Sequence, residues 1–298
     1  MDLRPAADTD AEAVTAILRE VDDARILSPA AWVHVRRTAL PRRRILQLVA
    51  IDGDEIAGVG AAGLDTWSSA PGAAWCSVSV TAARRREGIG GMLLEALLRH
   101  LDDVHATKAT SFMRFSEEGE RWAAARGWSR RLSGPLIAVD PRTVSRIALP
   151  DGFRFGSMLE AGPEVVFEAV VDAARDEPRP DPIDNMQYDE FLEDWKQPDI
   201  DLEASTVVYS DASVVAFTEL RVAGHRGQHG FTGTRREYRG RGLASAAKAA
   251  ALIAAAERGV TRVTTSNAEE NAAMRAINQK LGFTQIGEHV IVGRDLAS

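Results

Sequence analysis

The chain has 298 residues, long enough at roughly 100–200 residues per domain for two ordinary domains. Its residues are 45% apolar and 27% charged, as in globular proteins, and no apolar run approaches the roughly 18 residues needed to cross a bilayer. A net charge of −7 gives no overall pull toward nucleic acid or an anionic membrane. The single cysteine, Cys76, excludes an intramolecular disulfide and fits a reducing cytoplasm.

Leu3 to Pro5 predicts a short strand and Ala11 to Val21 a helix, with Asp8-Thr9-Asp10 available to cap it. Leu46 to Ile51 and Glu55 to Ala62 read as a hairpin around Asp52-Gly53-Asp54, and Trp75 to Val80 as a third strand. Ile89 to Leu101 has apolar residues at helical spacing. Thr107 to Met113 is a strand, Glu118 to Ala125 a short helix, and Trp128 through Val139 the closing strands of a first domain, 1–145. Pro141 and Pro150-Asp151-Gly152 mark the junction.

The second domain, 146–298, repeats this order. Phe153 to Phe155 opens it, Pro163 to Ala174 is helical, and a Pro- and acid-rich loop from Asp176 to Asp184 leads to a helix ending at Trp195. Hairpin strands flank Asp211, and Gly230 to Thr234 is the next strand. The helix Ser245 to Arg258, the strand Arg262 to Thr265 and the helix Asn271 to Leu281 follow. Thr284 to Ile286 and His289 to Val292 are expected to close it. Hairpins mixed with crossovers imply an α/β architecture of the α+β kind, with a mixed sheet in each domain.

The repetition has two anchors. Arg85-Arg86-Glu87-Gly88-Ile89-Gly90 matches Arg239-Gly240-Arg241-Gly242-Leu243-Ala244 at an offset of 154 (Arg85 to Arg239). Gly127-Trp128 matches Gly282-Phe283 at an offset of 155 (Gly127 to Gly282). Each hexamer follows a strand and opens a helix. A helix N-terminus offers unpaired N–H groups and the positive end of the macrodipole to a phosphate. Glycines let the backbone come close to a bulky anion, and Arg85 and Arg239 add charge there. Glycine between strand and helix is also ordinary punctuation in any α/β fold, so the hexamer gains weight only from its flanking segments. No Gly-x-x-x-x-Gly-Lys-Ser/Thr and no Cys/His metal spacing occurs, and neither hexamer supplies Gly-x-Gly-x-x-Gly with an acid about 20 residues on.

Both hexamers resemble the Gln/Arg-x-x-Gly-x-Gly/Ala pyrophosphate signature of the GNAT superfamily of N-acetyltransferases. The stretches Asn267 to Asn271 and Asn278 to Phe283 are similar to that family's next segment. The likeness covers nearly the whole chain twice and implies two tandem acyl-CoA N-acyltransferase folds. It implies direct attack of an amine on the thioester of acetyl-CoA, with no metal, and a small amine as acceptor. Arg239, Gly240, Arg241, Gly242, Leu243 and Ala244 would then hold the pyrophosphate, as would Arg85, Gly88 and Gly90 in the first copy. Phe231, Thr232, Gly233 and Thr234 would line pantetheine, with Asn271 assisting.

The usual strand-four glutamate is replaced by Gln228, so the candidate bases are Glu219 and His229. A solvent-facing strand histidine and a solvated glutamate fit the same pattern. Asn278 stands where the family often has an acidic tyrosine. In the first copy these positions fall on Ala74 and Ala123, so that domain is expected to be structural or merely to bind acyl-CoA. The acceptor is expected to enter over residues 176–181 and 184–195. A non-catalytic acyl-CoA binder, or a transferase acting on protein or peptide amines, is the alternative. The oligomeric state is not encoded in any of these motifs.

Overall fold

The computed structural model describes residues 1–296. In chain order, β1 (Asp2–Pro5) leads to α1 (Ala11–Val21), α2 (Pro29–Thr38), β2 (Leu46–Asp52), β3 (Glu55–Leu64) and β4 (Ala73–Val80). Then come α3 (Ile89–Asp103), β5 (Lys108–Arg114), α4 (Glu117–Ala124) and β6 (Ser129–Val139). The second half has β7 (Phe153–Ser157), α5 (Met158–Ala161), α6 (Pro163–Ala174), α7 (Tyr188–Trp195), β8 (Thr206–Ser210), β9 (Ser213–Ala223) and β10 (Arg226–Thr234). It ends with α8 (Leu243–Glu257), β11 (Arg262–Ser266), α9 (Ala272–Lys280) and β12 (Thr284–Asp295). The sequence pattern shows no element between residues 21 and 46, where α2 lies. Its start is Ser28, which accepts from the Ala31 N–H, followed by Pro29 in the first turn.

The chain forms two compact units. Among the described residues, the first takes 1–133, 180–185 and 289–296; the second takes Gly134–Arg179 and Met186–Glu288. The units therefore interleave rather than follow one another as 1–145 and 146–298. The expected closing strands are corrected accordingly. Residues 136–139 of β6 pair antiparallel with β11 in the second unit, from Leu136↔Ser266 to Val139↔Val263. Residues 289–295 of β12 pair antiparallel with β5 in the first, from His289↔Arg114 to Asp295↔Lys108. Alternating apolar residues mark a strand, but they do not say which edge it completes.

Within the first unit the strand order is β1-β2-β3-β4-β5-β12, and within the second β7-β8-β9-β10-β11-β6. In each, one neighbouring pair is parallel: β4 with β5, and β10 with β11. Helices cover both faces. In the first unit α3 buries Ile89, Leu93, Leu94, Leu97 and Leu101 against one face. It sits close because β3 is glycine-rich there. A Cβ on Gly60 would come within 2.8 Å of Leu97 Cδ1. Val14, Ile17 and Trp32 of α1 and α2 pack with Val49 and Val59 in a separate core. In the second unit α8 packs with Ile137, Val263, Leu281 and Phe283, while α6 packs with Val207 and Phe217. At Gly134 a Cβ would collide with the Asn267 carbonyl, so β6 passes that point only as glycine.

Candidate functional site

In the second unit β10 and β11 pair over three residues only, Arg226↔Arg262 to Gln228↔Thr264. Beyond Gln228 the strands part. On its other side β10 stays with β9, but the register slips between His229 and Thr232, so that Gly230 and Phe231 oppose only Glu219. Such a bulge bends the strand and re-aims its backbone. The edge of residues 230–234 that faces away from β9 therefore has no β11 ladder, which is the template an extended ligand needs to add itself as a strand. Phe231 packs edge-on against Phe217 at 5.4 Å, and Thr232 Oγ1 bonds Thr218 Oγ1 at 2.7 Å. These side chains are held from the β9 side.

The end of β10 leads into the loop singled out by sequence. Arg239 is extended (φ −65°, ψ 159°), Gly240 is left-handed (φ 76°), and Gly242 caps α8 from the left-handed region (φ 77°, ψ 7°). No side chain caps α8. A Cβ built on Gly240 or Gly242 meets nothing within 4 Å. The glycines thus answer to backbone conformation and to open space in front of the first amides, which is the form of a helix-terminal anion site. Leu243 and Ala244 turn their side chains inward, at 1% and 9% exposure.

Arg239 is already engaged. Its Nε donates to the Thr234 carbonyl at 3.1 Å, and Nη1 donates to Asp176 at 2.7 Å. Asp176 also receives Arg236 through Nε and Nη2, and the hydrogen bonds from Arg236 and Arg239 hold its carboxyl down to about 2. Arg241 instead lies over the Tyr238 ring at 5.3 Å. A carboxylate on the loop arginine competes with a phosphate for the same fork. Exposed ion pairs are worth about 0–1 kcal/mol, so Asp176→Asn should tighten the binding of a pyrophosphate-bearing ligand at this loop by no more than about five-fold. Titration calorimetry checks it, and weaker binding would mean that Asp176 positions Arg239 instead.

The two candidate bases are not brought together. His229 is buried (3% exposed), which replaces the solvent-facing alternative. Its Nδ1 lies 3.1 Å from Thr218 Oγ1 and 3.4 Å from the Glu219 carbonyl. A hydrogen on Nδ1 satisfies both contacts and leaves Nε2, which has no partner, as a bare acceptor. Burial, then the charge of Lys248, push His229 well below the ordinary imidazole value. Glu219 alternates to the opposite face of β9 from Thr218, where it pairs with Arg221 Nε at 2.7 Å; Arg221 also donates to Gln197.

Asn278 is buried at 1% exposure. It donates from Nδ2 to Asn267 Oδ1 at 2.6 Å, and its own Oδ1 has no partner. Asn271 caps α9, accepting from the Met274 N–H at 3.1 Å.

Lys248 on α8 is the group the sequence reading missed. It is 1% exposed, and its Nζ lies 5.6 Å from the Phe283 ring, which in turn neighbours His229 at 6.4 Å. Burial brings its amine down from 10.5 to about 7. The signal was there: one cation inside the run Ala246-Ala247-Lys248-Ala249. The expected acceptor loop also changes character. Asp184 accepts from the Ser69 N–H and hydroxyl, and Asp181 pairs with Lys108, all within the first unit.

The sequence profile of the Acetyltransferase (GNAT) family matches residues 15–116 and again 167–283. The chain belongs to the GNAT family. A search of curated protein sequences gives no match. Among solved structures, a tandem GNAT protein from the clavulanic acid biosynthesis pathway aligns with a TM-score of 0.74 at 21% identity, over 100% of this chain and 99% of that one. A GCN5-related N-acetyltransferase from Sphaerobacter thermophilus aligns with a TM-score of 0.72 at 18% identity, over 100% and 96%. A fungal multi-domain β-N-acetylglucosaminidase with a glucosamine N-acetyltransferase region aligns at 0.69 and 14% identity, over 98% of this chain and 38% of that one. At such identities these likenesses establish the fold.

Both GNAT copies keep the loop backbone. In the first, Arg85 is extended (φ −67°, ψ 155°) and Gly88 caps α3 at φ 86°, ψ −9°. Arg86 takes the left-handed place of Gly240 (φ 67°), at a cost of about 1–2 kcal/mol for a side-chain-bearing residue. Gly90 has a different reason from the one expected: a Cβ there would lie 3.3 Å from Trp122 Cζ2. The second GNAT copy has Ala244 at that position and Ile277 at the tryptophan's, so bulk moves from one partner to the other. Cys76, on β4, is buried, and burial pushes its thiol up to about 12, which removes it as a nucleophile at neutral pH.

Proposed function

We propose that the second unit is an N-acetyltransferase moving the acetyl group of acetyl-CoA to the primary amine of a small molecule, by direct attack on the thioester. The observation that carries this reading is the uncapped start of α8, with Gly240 and Gly242 left-handed at the end of a strand that has left its parallel neighbour. Arg239 to Ala244 hold the pyrophosphate, and Phe231, Thr232 and Thr234 border pantetheine. The glucosamine acceptor of the fungal relative supports a small amine. His229 Nε2 takes the proton of the attacking amine, directly or through a water, with Glu219 the second candidate. Asn278 bonds the departing sulfur, and Asn271 orders the start of α9. A reducing cytoplasm suits the lone buried thiol.

Thiol release from acetyl-CoA, measured across a panel of small primary amines, tests this. A general base contributes about 10²–10⁴-fold, so His229→Gln should lower kcat/KM by at least about 100-fold with the KM for acetyl-CoA little changed. Tight CoA binding without turnover for any amine would favour the second reading, a non-catalytic acyl-CoA binder. Gln228 and Asn278, which do not titrate, are what support that reading.

A further inference from the structure

The first unit lacks a glutamate on β4 and a tyrosine on α4, yet it gains an imidazole from the other end of the chain. His289 lies on β12 opposite Arg114 of β5 and is 3% exposed. Its Nε2 is 3.0 Å from Asp22 Oδ2, across 267 residues of sequence. A carboxylate only accepts, so Nε2 carries the hydrogen and the neutral ring keeps its lone pair on Nδ1. That atom is buried and has no hydrogen-bond partner. The ring rests against Phe112 at 4.5 Å, and Phe112 is 58% exposed. Arg114 stands 3.8 Å from Asp22 and 3.3 Å from Asp23.

The pair lies at the level where β4 and β5 have separated, beside the end of β4. β4 and β5 are hydrogen-bonded only from Ala73↔Lys108 to Trp75↔Thr110 and separate beyond. Glu20, at the end of α1, accepts from Thr81 Oγ1 at 2.7 Å and from the Ala82 N–H at 2.8 Å, just past β4. Two residues later Asp22 reaches the strand beyond β5. The end of α1 therefore spans the gap, at the same end of β4 from which the loop of Arg85, Gly88 and Gly90 departs.

A tie required by the fold would recur in the second unit. It does not. Asp176, the counterpart of Asp22 at the offset of 154, is bound to Arg236 and Arg239. Two residues beyond the last β6–β11 pair, Leu136↔Ser266, β6 carries Gly134 instead of an imidazole.

We propose that Asp22 and His289 form the proton-accepting pair of a second acyl-transfer centre, in the first unit, acting on a small primary amine. The amine nitrogen bonds to the thioester carbonyl carbon and the carbon–sulfur bond breaks. The amine proton passes to His289 Nδ1, directly or through one water, and Asp22 offsets the charge of the imidazolium. The thiolate leaves and is protonated as the ring gives its proton back. Burial pushes Asp22 up, but the hydrogen bond and charge of His289, with the Ala24 N–H and Arg114, outweigh it and hold the carboxyl low, so Asp22 is ionised when needed. The proposal rests on the first unit's own loop and strands, and not on the second unit's site.

The test uses the full chain with the second loop disabled by Gly242→Glu, or by Arg239→Glu if that variant does not fold. Thiol release from acetyl-CoA is followed with primary amines and with hydroxylamine, which is largely unprotonated at neutral pH. Release should persist in the disabled chain. Adding His289→Gln, or Asp22→Asn where the former is unstable, should cut it at least about 100-fold for primary amines and far less for hydroxylamine. No release from the disabled chain with any of these amines, equal rates with and without His289→Gln, or equal losses for both amine classes would each overturn the proposal. Undiminished release in Gly242→Glu would overturn the second-unit site instead and leave this one standing.

Discussion

Gly242→Glu should abolish acyl-CoA binding in the second unit while leaving it folded. The left-handed φ of 77° costs a side-chain-bearing residue about 1–2 kcal/mol. Nothing lies within 4 Å of the new Cβ, so no clash adds to this. A carboxylate at a helix N-terminus returns about 0.3–1 kcal/mol through the macrodipole. The net penalty of about 1 kcal/mol is small beside a typical stability of about 5–15 kcal/mol. Binding fares worse, because the glutamate takes the amides that a pyrophosphate would use and sets like charge against it. A loss of at least about 100-fold follows, near 3 kcal/mol. Gly242→Ala, which carries only the strain, should cost about thirty-fold at most. Calorimetry with acetyl-CoA, alongside Gly88→Glu for the first loop, measures both. An unchanged affinity in a folded Gly242→Glu protein would remove the loop from the site.

Lys248→Met should stabilise the second unit, and more so at neutral than at high pH. The folded amine sits at about 7 instead of 10.5, so the unfolded chain binds the extra proton between those values. The cost of burial is therefore full below pH 7, shrinks as pH rises through the window and is gone above about 10.5. A fall of that size corresponds to about 5 kcal/mol at most. The first unit carries Leu94 at the equivalent position, buried at 5%, so an apolar side chain suits this helix. At pH 7 a gain of about 2–5 kcal/mol should raise the melting temperature by roughly 5–15 °C. A melting-temperature gain that is the same at pH 7 and pH 10 would show that Lys248 is not neutralised by burial. His229, also depressed, weakens the fold further on the acid side of its usual range.

Local pattern made much of this molecule readable. The helix Pro163–Ala174 and the strand pairs around the two tight turns follow from apolar periodicity and turn residues. The hexamers stood out because Gly88, Gly240 and Gly242 occupy backbone that glycine adopts without strain. What escaped was long-range. Nothing near His289 announces Asp22, and no periodicity tells β6 and β12 which sheet to complete. Lys248 was passed over because a charge in a helix is usually solvated, and only packing decides otherwise. Asp176 read as loop acidity until the fold brought Arg239 to it.

The exchange of closing strands sets a timetable for biosynthesis. Residues 1–133 leave the ribosome well before the partner that β5 requires, which begins at His289. At about 5–20 residues per second that delay is roughly 10–30 seconds. During it the β5 edge, with Phe112 on it, has no strand to pair with, the circumstance in which edges find other chains. The N-terminal unit of this protein is therefore finished last, after nearly the whole of its neighbour has been made.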